Sequence, residues 1–75
     1  MSSPFKPLSA RLRLARNVRR LRQKIGFSQE ELSAKAGFSQ TYLSQIETGG
    51  VNVPIDRIEK LANALDIDLV DLLIL

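Results

Sequence analysis

The chain has 75 residues, 44% of them apolar, and contains neither Cys nor His. That length permits one domain around one modest core. The missing residue types exclude disulfides, the usual zinc sites and the commonest nucleophile–base pairs, so catalysis is not expected. The formal net charge of +3 conceals an asymmetry. Residues 1–37 carry nine basic residues against two acids, and residues 38–75 carry two against six. A half at +7 beside a half at −4 points to a polyanionic partner, although a solvated basic helix would carry the same charge run. No apolar run approaches a membrane span or a signal peptide, so a cytoplasmic protein is expected, with no membrane partner.

Residues 1–8, with Pro4 and Pro7, read as an irregular arm, and the folded domain is expected over 9–75. Ser9 is a helix cap, and a first helix runs over Ala10–Ile25. Leu14, Val18, Leu21 and Ile25 form its apolar stripe, while Arg13, Arg20 and Lys24 lie opposite. Arg22 falls at the edge of that stripe, so it needs a partner. Gly26 is suited to ending the helix in the left-handed conformation, with Phe27 packing back onto it.

Ser28 with Glu31 three residues on has the spacing of a capping box, which starts a short second helix over Gln29–Ala36. Its Leu32 and Ala36 face inward. Gly37 breaks this helix, and Ser39 caps a third over Gln40–Thr48, ended by Gly49 and Gly50. A fourth helix starts near Pro54, a residue suited to a first helical position, with Ile55, Ile58, Leu61, Ala62 and Leu65 on its apolar face. Asp66 ends it, and Asp68 caps a fifth helix, "LVDLLIL". The chain reads as five short helices, an all-α fold.

Two short helices across a glycine turn have the spacing of a helix-turn-helix, here Gln29–Ala36, Gly37-Phe38-Ser39 and Gln40–Thr48. An ordinary helical hairpin has the same spacing. The third helix separates the two readings. Gln40, Thr41, Ser44, Gln45 and Thr48 share one arc, and Tyr42, Leu43 and Ile46 the other. A merely solvated face favours Glu and Lys pairs, whereas amides and hydroxyls suit the edges of bases in a DNA groove.

The stretch "GFSQEELSAKAGFSQTYLSQIETG" resembles the helix-turn-helix of the Cro/C1-type (XRE) family, which includes lambdoid phage repressors and restriction–modification controller proteins. The resemblance continues through "IDRIEKLANALDIDLVDLL" and covers Val18 to Leu73, most of the chain. It implies a compact five-helix, lambda-repressor-like domain that regulates transcription by binding double-stranded DNA. Carried across, Gln40 matches the first reading residue, commonly an adenine reader, and Thr41, Ser44 and Gln45 match further groove-facing positions. Gln29 matches a Gln that bonds a backbone phosphate and braces a reading side chain, and Ser28 a neighbour that also touches phosphate. Ser39, Tyr42, Thr48 and Asn52 are assigned to phosphate contact or positioning, together with Arg19 and Lys24 near the end of the first helix. Glu47 matches an acid that pairs with an Arg of the first helix, here Arg22.

The sequence departs from the family in one place: the loop "GGVNVP" carries no Lys or Arg. Phosphate attraction therefore shifts toward the first helix. The apolar end of the chain either packs down onto the core or, as the resemblance implies, forms a homodimer through Leu69, Leu72, Leu73 and Leu75, with two reading helices about 34 Å apart on a pseudo-palindrome. No cofactor, metal or small-molecule ligand is implied. The alternative is a protein-interaction module, such as an antitoxin, with DNA binding secondary.

Overall fold

The structure is a computed structural model that describes residues 8–74. The arm expected over 1–8 lies outside the described residues apart from Leu8, and so does Leu75 of the expected dimer contact. Among the described residues there are four α-helices and a C-terminal 3-10 turn: α1 Ala10–Ile25, α2 Gln29–Ala36, α3 Gln40–Thr48, α4 Ile55–Leu65 and the turn Leu69–Leu72. None of these helices is long and apolar enough to cross a membrane.

Short-range chemistry accounts for the boundaries. The Ser9, Ser28 and Ser39 hydroxyls accept from the backbone N–H groups of Leu12, Glu31 and Tyr42, satisfying donors that a helix start leaves free. Ser28 and Glu31 complete the capping box, because the Ser28 N–H donates to Glu31 Oε1 at 3.0 Å. That bond, reinforced by the Ser28 hydroxyl, holds the Glu31 carboxyl below its ordinary pKa. The start of α4 differs from expectation. Pro54 sits just outside the helix, and its carbonyl accepts from Arg57 and Ile58. Asp66 ends α4 at φ 55°, a left-handed conformation usually left to glycine.

The core draws on every helix and the C-terminal turn, with Leu14, Val18, Leu32, Leu43, Ile46, Leu61 and Leu72 all buried. Gly49 is favoured by its φ of 76°, and a Cβ there would also displace the exposed Leu12 side chain of α1, whose Cδ2 lies 2.8 Å from that position. Two stripe residues fall outside the core: Ile25 and Ile55 remain exposed at helix ends, beyond the last neighbour they could pack on. A polar residue takes a core position instead. Asn17 is 1% exposed on the α1 face that meets the C-terminal segment.

The expected fifth α-helix is a correction. Leu69–Leu72 is a single 3-10 turn, capped by Asp68 through the Val70 N–H. The Asp71 and Leu73 N–H groups bond three residues back, to Asp68 and Val70. Side chains of α1 hold the carbonyls at the end of this segment. Asn17 Nδ2 donates to Leu72 O at 3.0 Å and Ile74 O at 2.7 Å, and Arg13 Nη1 donates to Leu73 O at 3.1 Å. A four-residue segment gains too few internal bonds to repay nucleation of an α-helix, and short pieces close with the tighter 3-10 pattern.

Candidate nucleic-acid interface

The turn between α2 and α3 sets the angle of the interface. Gly37 takes φ 77°, its N–H closes onto Ala34, and the Phe38 N–H reaches Ser33 O at 2.8 Å. This is the left-handed ending that glycine adopts at no steric cost. α3 then leaves α2 with Leu43 and Ile46 turned into the core and its polar arc outward. Phe38 and Tyr42 pack edge to face, with ring centroids 5.2 Å apart, and fix the base of the turn.

On the outer surface, Gln29, Gln40, Thr41, Ser44 and Gln45 wall one open depression of about 340 Å³. All four residues read from sequence as base-facing lie here, and Gln29 joins them from the first turn of α2. The lining is neutral, with amides and hydroxyls that both donate and accept. Such a surface matches hydrogen-bonding base edges better than it matches a phosphate.

Beneath the depression is a buried charge pair. Arg22 Nε donates to Glu47 Oε2 at 2.7 Å, and Arg22 Nη2 donates to Glu47 Oε1 at 3.0 Å. The side chains are 12% and 4% exposed. The partner expected for Arg22 is therefore present, in side-on bidentate geometry. Arg22 Nη1 donates further to Phe27 O at 2.9 Å, and Gln29 Nε2 donates to Glu47 Oε1 at 3.1 Å. The last turn of α1, the first turn of α2 and the end of α3 thus meet at one carboxylate.

The residues assigned to phosphate divide into several groups. Ser28 and Ser39 are exposed; the Ser39 hydroxyl, though accepting a cap bond, keeps its own proton free to donate, while the Ser28 hydroxyl is shared with the Glu31 carboxylate. Arg19 is exposed and donates to Glu47 O at 3.2 Å, which places its guanidinium at the end of α3; Lys24 is exposed in the last turn of α1. Of the two roles given to Tyr42, the packing supports positioning: its hydroxyl is buried without a partner and its ring lies beneath the Arg57 guanidinium at 5.1 Å. Thr48 donates its one proton to Gln45 O at 3.0 Å, leaving no side-chain donor for an anion. Asn52 lines a separate narrow cleft with Arg11, Leu14 and Leu73, away from the depression.

Of the apolar residues assigned to dimer contact, Leu72 is a correction, being fully buried in this chain's own core. Leu69 and Leu73 are half-buried, while Val70 and Ile74 are the exposed pair. Sequence reasoning missed both of those and also missed Asn17. An isolated Asn on a helix stripe was the one signal available for the latter.

A glycine turn, a neutral reading helix and a buried strut between them define a helix-turn-helix DNA-binding protein. The model of the helix-turn-helix family HTH_3 matches residues 18–72. The chain belongs to this family of DNA-binding transcriptional regulators. It is 45% identical over 56 residues to an uncharacterized HTH-type transcriptional regulator, y4dJ, of Sinorhizobium fredii, covering 75% of this chain and 73% of that one. The control protein C.BamHI of Bacillus amyloliquefaciens is 42% identical over 64 residues, covering 84% and 79%. Among solved structures, the restriction-modification controller protein C.AhdI from Aeromonas hydrophila matches with a TM-score of 0.82 at 35% identity, over 87% of this chain and 98% of that one.

Proposed function

We propose that the protein binds a pseudo-palindromic operator in double-stranded DNA as a homodimer and regulates transcription from it. The observation that carries this reading is the neutral depression walled by Gln29, Gln40, Thr41, Ser44 and Gln45, set on a braced helix. Gln40 supplies an amide suited to a bidentate pair with adenine, and Thr41, Ser44 and Gln45 read neighbouring base edges. Attraction to the phosphates is left to exposed cations of α1, including Arg19 and Lys24, and to the Ser39 hydroxyl. The dimer contact forms around Val70 and Ile74, flanked by Leu69 and Leu73. Two-fold pairing of the C-terminal segments then matches the symmetry of the operator.

The test is selection of bound duplexes from a random pool, followed by titration of the selected duplex and its single-base variants. Enrichment of an inverted repeat is expected, with affinity falling steeply as salt rises. Gln40→Ala should lose about 1–3 kcal/mol at one base pair per half-site and relax preference there. Equal loss on every sequence removes Gln40 from base reading. Co-purification with a second protein and no selection from the pool would favour the interaction-module alternative.

A further inference from the structure

The Gln29 amide is held in one orientation before any DNA arrives. Its Nε2 lies 3.1 Å from Glu47 Oε1, the oxygen that also accepts from Arg22 Nη2 at 3.0 Å. A carboxylate engaged with a guanidinium through both oxygens only accepts hydrogen bonds. Turning the Gln29 amide over would set its carbonyl against that carboxylate, two acceptors with no proton between them. The Glu47 side chain is 4% exposed, so water does not screen the clash. Gln29 must keep its nitrogen toward Glu47 and its Oε1 on the opposite branch. Gln29 also walls the reading depression, whereas the other two wall glutamines, Gln40 and Gln45, are exposed.

We propose that Glu47 is a positioning residue for base recognition: it fixes the polarity of the Gln29 amide, so that Gln29 presents a permanent acceptor to the groove. The group this acceptor takes is an exocyclic amino group on a base edge, adenine N6 or cytosine N4, because both donate in the major groove. A phosphate offers only acceptors and does not match the Gln29 carbonyl. Phosphate contact at this point falls to the remaining N–H of the amide and to backbone N–H groups in the first turn of α2. Gln29 is then a determinant of specificity in its own right, and the ion pair that braces the fold also decides which chemical group the surface accepts. This rests on the depression being a DNA reader.

The experiment compares the unmodified protein, Gln29→Met, Glu47→Gln and the double variant by random-pool selection and by titration of single-base operator variants. Melting curves accompany each. Met removes the donor and acceptor at similar size; Gln at position 47 has an amide that can itself turn over and so releases the polarity of Gln29. Each single variant should flatten preference at the same base pair by roughly tenfold while preferences elsewhere persist. The double variant should be no flatter than either. Uniform loss of affinity on all sequences, or flattening at different base pairs, overturns the proposal and leaves Glu47 a purely structural residue.

If Glu47→Gln does not fold, Gln29→Met decides by the same criterion. Side-chain amide NMR of the free protein is a second readout, in which one Gln29 Nε2 proton should exchange slowly with water. Fast exchange of both protons overturns the tether. If the unmodified protein selects no sequence, the DNA-reading function has failed and this proposal with it. If it selects one and Gln29→Met keeps the same profile, only this proposal has failed.

Discussion

Two polar ties hold α1 to the rest of the molecule, and they are made of different chemistry. In its last turn, Arg22 grips Glu47 with a bidentate charge pair that also holds Gln29. In its first half, Asn17 and Arg13 grip three successive carbonyls of the C-terminal segment, Leu72, Leu73 and Ile74. The first centres on a side-chain charge pair, with Arg22 and Arg19 adding bonds to the Phe27 and Glu47 carbonyls, and fixes the reading helix. The second joins side chain to backbone, so it holds the course of the chain end whatever side chains that end carries. One protects the site, and the other sets where the apolar pair Val70 and Ile74 is displayed.

The difference has energetic consequences. A buried charge pair adds little net stability while intact, because desolvation offsets its Coulombic gain, yet removing one partner strands the other. Glu47→Ala should therefore be the most damaging change, costing about 3–5 kcal/mol, since Arg22 is left 12% exposed without a counter-charge. An unchanged melting temperature would break the idea that this tie is buried in solution. Asn17→Ala should cost about 2–3 kcal/mol, because it leaves the Leu72 and Ile74 carbonyls short of donors. Its distinctive effect is on hydrogen exchange, with protection lost in residues 69–74 and retained across α2 and α3.

Smaller effects sharpen the same contrast. Arg13→Met keeps much of the side chain's packing, loses the bond to Leu73 O and also removes a buried Nε that has no partner, so at most about 1 kcal/mol is expected from urea unfolding. Exchange that loosens around Gln29 and not around Leu73 would contradict the separation of the two ties. Glu31→Gln lies in neither and should change stability least at neutral pH. Its signature is the pH dependence. Because the folded-state pKa of Glu31 is lowered, its contribution is present above the unfolded value and is lost as pH falls through the folded one. The variant should therefore lose less stability than the parent on acidification, as read from melting curves across that range.

The helices were legible because their signals are local. Ser9, Ser28 and Ser39 before periodic apolar runs, and Gly26, Gly37 and Gly49 after them, mark each boundary within a few residues of chain. The reading residues were legible for the same reason: the arc of a helix follows from its period, and Gln40, Thr41, Ser44 and Gln45 do line one depression. Period alone did not decide between the two roles given to Tyr42, because it does not reveal that Phe38 and Arg57 pack on its ring or that its hydroxyl is buried. Leu72 was misassigned because a terminal apolar run does not tell which members fold inward.

By itself, then, the sequence determined the first three helices with their borders, the presence of a fourth, the glycine turn and the neutral face, all of which depend on neighbours within one or two turns. It also marked Arg22 as a charge in need of a partner and, through family resemblance, named Glu47. Only the tertiary structure decided what the C-terminal segment became. Its carbonyls are claimed by Asn17 and Arg13, between 55 and 60 residues away along the chain. Those bonds fix the course of the segment, which closes as a single 3-10 turn in place of the expected helix. Likewise only the fold brought Gln29 within reach of Glu47, and an amide's polarity depends on the one neighbour it meets in space.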